Sequence, residues 1–142
     1  MNGLLFGGAG TASVVGDLGL LVLRAFTGLA LAFAHGINKI PPSAGFIERV
    51  DGYGFPLPMV FSWGAGLSEL VGGCLIAVGL LTRPAALFVF STMSVAVLFA
   101  HADDPFSVKE KAFLFGMVAL LLIAAGAGRF ALDPRVRHRR NR

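Results

Sequence analysis

Four apolar stretches dominate this sequence, each close to the length a helix needs to cross a lipid bilayer. A spanning helix takes about 20 mainly apolar residues. The stretches run over roughly 18–38, 58–81, 84–101 and 111–127. The first holds only Arg24 and His35 as ionisable side chains, and the last has none between Lys111 and Arg129. Composition agrees: hydrophobic residues make up 56% of the 142 residues and charged ones 14%, with 19 glycines besides. A soluble chain this short cannot bury so much apolar surface. A water-soluble enzyme, a disordered chain and a soluble coiled coil are thereby excluded. The pattern predicts an all-α fold, an integral membrane four-helix bundle of up-down topology.

The flanks divide the chain into three parts. Residues 1–17 read as a flexible apolar extension, with Asp17 placed to cap the first helix. Residues 18–133 form the membrane domain. Residues 134–142 form a basic tail holding Arg135, Arg137, Arg139, Arg140 and Arg142, five of the 12 basic residues. The net charge of +4 thus sits on a tail and not on a nucleic-acid-binding face, and no nucleic-acid partner is expected. Lysine and arginine number seven on the side of the termini and four on the other. By the positive-inside rule both termini face the cytoplasm, and the tail suits anionic headgroups. In the loop over 41–57, Phe46, Ile47, Val50 and Tyr53 fall at helical spacing. That fits a surface-lying helix or an irregular loop over the bundle mouth equally well.

Polar residues inside apolar spans are costly, so their placement is informative. Arg24, Gly28, Leu31, His35 and Asn38 follow a 3–4 spacing and share a face. So do Ser62, Gly66, Glu69 and Gly73, and likewise Ser91, Ser94, Leu98 and His101. Small residues recur every four positions in Gly28, Ala32 and Gly36 and in Ala65, Gly73 and Ala77, a pattern that brings helix backbones close. At 1.5 Å per residue, Arg24 lies about 9 Å and Glu69 about 20 Å from the cytoplasmic end, with His35 and His101 both near 26 Å. Arg24 then extends toward Glu69 or snorkels down to the headgroups. Two readings stay open: a structural ion pair that fixes helix register, or a proton-relaying carboxylate whose charge the arginine sets. The two histidines at matched depth mark a candidate site. Neither haem nor a metal is expected, because the helices lie too close for a haem and zinc lacks further convincing ligands. The single cysteine, Cys74, reads as a small buried residue.

The chain resembles the DoxX family of small bacterial four-helix membrane proteins. The resemblance covers about Leu18 to Asp133. It rests on Arg24 with Gly28, His35-Gly36 with Lys39, and Gly54-Phe55-Pro56-Leu57-Pro58. It continues in Glu69-Leu70-Val71-Gly72-Gly73, Thr82-Arg83, His101, and Gly128-Arg129-Phe130 with Leu132-Asp133. Relatives include a membrane subunit of thiosulfate:quinone oxidoreductase, and others work beside a sulfurtransferase in redox-stress defence. The resemblance implies residence in the bacterial cytoplasmic membrane and a quinone as cofactor. It also implies a quinone-linked subunit of a sulfur or thiol oxidation or redox-stress complex. In that reading His35 and His101 hold the quinone oxygens, with Asn38, Lys39 and Ser94 completing the pocket and Glu69 relaying protons. Expected partners are the lipid bilayer, a soluble sulfurtransferase or other redox enzyme, and further copies of the chain. Two other functions remain open: a non-catalytic anchor that recruits a soluble redox enzyme, and a small polar-solute or proton-coupled carrier.

Overall fold

The computed structural model describes residues 13–133, which form five helices and no strands. Most of the expected extension and the whole basic tail lie outside the described residues. Helix α1 runs over Val14–Lys39, α2 over Ala44–Gly52, α3 over Pro58–Val78, α4 over Thr82–Ala100 and α5 over Phe106–Ala125. Three of them, α1, α3 and α4, are long and apolar enough to cross a membrane. Helix α5 matches the fourth expected stretch but starts five residues earlier, so Lys109, Glu110 and Lys111 fall in its opening turns. The all-α membrane fold therefore holds, and the loop over 41–57 contains a true helix, α2.

Local chemistry sets the ends. Ser13 caps α1, its hydroxyl accepting from Val15 N–H at 3.2 Å. Asp17 is not the cap; it lies in the first turn, buried, where a carboxylate favours the positive helix end. Ser43 caps α2 by accepting from Phe46 N–H at 3.3 Å. Pro58 opens α3, where a missing N–H costs nothing. Gly79, at φ +71°, closes α3 in the left-handed conformation that glycine adopts without a Cβ penalty.

Helix α1 packs antiparallel on α3, α3 on α4, and α4 on α5. The α1–α3 seam is built on the small-residue rows. A Cβ on Gly28 would fall 2.4 Å from Gly73 O, and one on Gly36 2.4 Å from Leu70 N. The backbones can approach this closely only because both positions are glycine. Leu31, Ile76, Ala86, Val89, Ala119 and Leu122 fill the centre. Phe26, Phe33, Leu87, Phe88, Leu114 and Met117 face outward, as lipid-facing residues do. Cys74, expected in the core, lies on the exposed face of α3.

Three helices depart from regular α geometry. Turns widen to i→i+5 hydrogen bonding over Ala30–Gly36, Ser68–Gly72 and Ala96–Ala100. Such wide turns are uncommon and concentrate at functional sites. Those of α1 and α3 face each other across the seam, with Gly36 against Glu69 and Leu70.

Candidate functional site

Arg24 and Glu69 are both buried, but they do not pair. Register explains why. Gly28 sits opposite Gly73 and Ala77, so Arg24, one turn earlier in an antiparallel helix, lies at the far end of α3. Seven residues separate Glu69 from Ile76, about 10 Å of helix. Arg24 Nη1 donates to Ala77 O at 2.5 Å and to Ile76 O at 3.2 Å where α3 ends; Ile76 O also accepts from Gly79 N–H at 3.1 Å. Its Nη2 donates to Phe130 O. The carboxylate that acts on its charge is Asp133. Asp133 in turn accepts from Leu81 N–H at 2.7 Å and Thr82 N–H at 3.1 Å, and so caps α4 from outside the helix. Arg24 is thus the centre of a clasp tying α1, α3, α4 and the segment after α5. The expected Arg24–Glu69 pair, relay or structural, is corrected accordingly.

Glu69 instead pairs with Lys39, from the last turn of α1, at 2.6 Å from Nζ to Oε1. The carboxylate is 2% exposed and the lysine side chain 33%. Glu69 Oε2 is buried with no hydrogen-bond partner among the described residues. The pair lies in the wall of a cavity of about 400 Å³, a size ordinary for a small-molecule site. Phe46 and Val50 of α2 and Tyr53 just beyond its end line it on one side, Gly64, Ala65 and Ser68 of α3 and Ser91, Thr92 and Ala96 of α4 on the others. Phe55 and Phe61, stacked with ring centroids 4.9 Å apart, line it too, and Phe99 packs against Phe55 at 5.1 Å. Val60, Phe61 and Phe88 line the cavity and are also exposed on the outer face, so it opens sideways between α3 and α4 toward lipid. Its walls are mostly apolar, and its polarity is concentrated at Lys39, Glu69 and a few hydroxyls.

A second, more polar cavity of about 320 Å³ adjoins the first and shares Lys39, Phe46, Tyr53 and Ala100 with it. Asn38, Ser43, Arg49 and His101 complete its lining. His101 Nδ1 lies 2.7 Å from Asp104 Oδ2, both partly exposed. Lys39 and Arg49 flank the Phe46 ring at 5.8 and 5.9 Å from its centroid.

The expected pocket residues therefore divide. Lys39 and Glu69 meet in the apolar cavity, and Lys39, Asn38 and His101 meet in the polar one. His35 lines neither; its ring meets Phe115 of α5 edge-on, at 5.6 Å and 77°. Ser94 turns back to Phe90 O at 2.8 Å, and Leu98 of the same expected face is exposed. Sequence reasoning missed the Lys39–Glu69 contact and the α2 wall, although Tyr53 was flagged by its helical spacing.

These features define a small helical membrane protein with a lysine–carboxylate pair, its carboxylate buried, in the wall of a mainly apolar cavity. The chain belongs to the DoxX family, whose model matches residues 19–102. It is 31% identical over 119 residues to "Putative oxidoreductase CatD" of Bacillus subtilis (strain 168), covering 83% of this chain and 87% of that protein. It is 34% identical over 125 residues to "Inner membrane protein YqjF" of Escherichia coli (strain K12), covering 82% and 91%. A second protein of that strain, "Inner membrane protein YphA", is 29% identical over 144 residues, covering 95% and 100%. No solved structure matches the chain.

Proposed function

We propose that this chain is a quinone-binding membrane subunit of a redox complex in the bacterial inner membrane. Both termini face the cytoplasm in this reading, and a soluble partner oxidises a sulfur or thiol substrate. The observation that carries it is the Lys39–Glu69 pair in the wall of a mainly apolar cavity that opens to lipid. A quinone dissolved in the bilayer needs an apolar slot for its ring, a sideways entrance for its tail and polar groups at its oxygens. The cavity supplies all three. The relative named as an oxidoreductase and the two named as inner membrane proteins support the same reading.

The residues would act as follows. Lys39 Nζ has N–H groups beyond the one given to Glu69 and donates to a ligand oxygen. A bound quinone supplies two-electron, two-proton redox chemistry. Glu69 holds and passes a proton at its free Oε2. Lys39, shared by both cavities, links that carboxylate to Asn38 and His101 and so to the surface. Imidazole is the side chain suited to exchange protons with neutral water. Electrons come from the partner, because the side chains in the two cavities offer proton and hydrogen-bond chemistry alone.

The test is quinone binding to the purified chain in nanodiscs, read by extraction of co-purified quinone and by titration. Gly64 lines the cavity, and a Cβ there meets nothing within 4 Å. Gly64→Leu therefore fills the slot without a backbone clash, and it is expected to abolish binding in a folded protein. His35→Ala is expected to bind normally. A chain that binds no quinone would discard this reading in favour of a membrane anchor for a soluble enzyme.

A further inference from the structure

The unpaired oxygen of Glu69 says which redox form of the ligand the cavity prefers. Glu69 Oε1 is held by Lys39, while Oε2 is buried without a hydrogen-bond partner among the described residues. The serine and threonine hydroxyls that line the cavity bond to other groups. Those of Ser68 and Thr92 bond to each other at 2.9 Å, and Ser91 donates to Leu87 O at 2.9 Å. A buried charged acceptor left unpaired is costly, so a ligand that brings a donor to it gains affinity.

We infer that the site selects the hydroquinone form of its ligand over the quinone form. This rests on the quinone reading above. Glu69 lines the cavity while Oε2 itself is closed off, so a small turn of the carboxylate as the ligand enters lets a phenolic hydroxyl donate to Oε2 while its oxygen accepts from Lys39 Nζ, and one group then satisfies both members of the pair. A quinone carbonyl has lone pairs and no proton. It accepts from Lys39 but sets its lone pairs against the carboxylate oxygen. Hydrogen bonds to charged groups are strong enough to make this roughly a tenfold to hundredfold preference. Tighter binding of the reduced form makes the bound couple a stronger oxidant, by about 30 mV for each tenfold. The site then draws electrons toward itself from a partner.

The full chain in nanodiscs is titrated, without oxygen, with a short-chain benzoquinone, the matching hydroquinone and the dimethyl ether of that hydroquinone. The hydroquinone is expected to bind at least tenfold more tightly than the quinone. The ether keeps the ring and loses the O–H, and is expected to bind no better than the quinone. In Glu69→Gln the amide offers a donor as well as an acceptor, so the preference falls to about twofold or less. Equal affinities, a tighter quinone, a tightly bound ether or an undiminished preference in Glu69→Gln would each overturn the inference and leave the quinone reading standing. No binding of any of the three compounds removes both. Should the Glu69 variant not fold, the ether comparison on the unaltered chain still decides.

Discussion

The two ends of the α1–α3 seam each bury a charge, and they surround it differently. At one end the Arg24 guanidinium reaches three carbonyl oxygens and the field of Asp133. Its Nε has no hydrogen-bond partner among the described residues, and Arg24 lines neither of the two cavities described above. A Cβ on Gly79 would fall 2.8 Å from Arg24 Nη1 and 2.5 Å from Ala131 Cβ. At the other end Glu69 has one partner, one unmet oxygen and a cavity beside it. A charge that is packed and multiply bonded holds elements together. A charge that is left short of partners beside free volume is arranged for something that arrives. In the reading proposed above, Arg24 serves structure and Glu69 serves the ligand.

The strongest way to break that assignment is to remove each charge in turn. Arg24→Ala takes the side-chain donor from the carbonyls of Ala77 and Phe130, leaves Ile76 O with Gly79 N–H alone, and opens a void, with a loss of about 3–5 kcal/mol. Thermal unfolding in detergent checks it, and little folded protein is the expected result. Glu69→Gln should unfold within a few degrees of the parent, because Lys39 is a third exposed and can turn to water. Equal losses in the two variants would erase the distinction between the ends.

The seam itself gives the next largest effect. Gly36→Ala places a Cβ 2.4 Å from Leu70 N, a backbone atom that cannot move alone. The helices must separate at the level of Glu69, and a cost of about 2–3 kcal/mol is expected. Ligand binding should fall with it. Gly64→Ala, equally apolar and also on a long helix, should cost almost nothing in the same melt because its Cβ meets open space. If the two alanines behave alike, close approach is not what holds α1 to α3.

This seam was legible in the sequence, since Gly28, Ala32 and Gly36 and Gly73 and Ala77 recur at the spacing of one helix turn. The long apolar helices were legible for the same reason of period and length. Faces failed where the period failed. One extra residue in a turn shifts every later side chain by about 100°. Asn38 and His101 follow wide turns and His35 lies within one, so a 3–4 count from Arg24 or Ser91 sends them to the wrong face. Lys39 reaches Glu69 for that reason too. Asp133 was out of reach differently: it caps α4 from an irregular segment some 50 residues away, where no period links partner to partner. Both ends of the seam thus depend on contacts that a helical repeat does not encode.

Asp133→Ala tests the clasp from its other side, with a smaller effect than loss of Arg24. Two N–H groups at the start of α4 lose their acceptor, and Leu81, at φ +49°, has no side-chain oxygen to replace it. Loss of a helix cap costs about 1 kcal/mol. The chain should stay folded, melt a few degrees lower, and bind quinone as the parent does. Reduced binding without reduced stability would mean that the two ends of the seam communicate.

The smallest effect is expected at His101. Its contact with Asp104 joins side chains 38% and 45% exposed, and exposed polar pairs contribute at most about 1 kcal/mol. It lines the polar cavity beside the site and not the apolar one that Glu69 lines. His101→Ala should therefore change quinone affinity by less than about twofold, while slowing turnover if the polar cavity carries protons from Glu69 to the surface. Rescue of that turnover by added imidazole would mark His101 as a proton carrier. Loss of affinity instead would place the ligand in the polar cavity, and would move the ligand-binding end of the seam one turn outward from Glu69 toward Lys39 and Asn38.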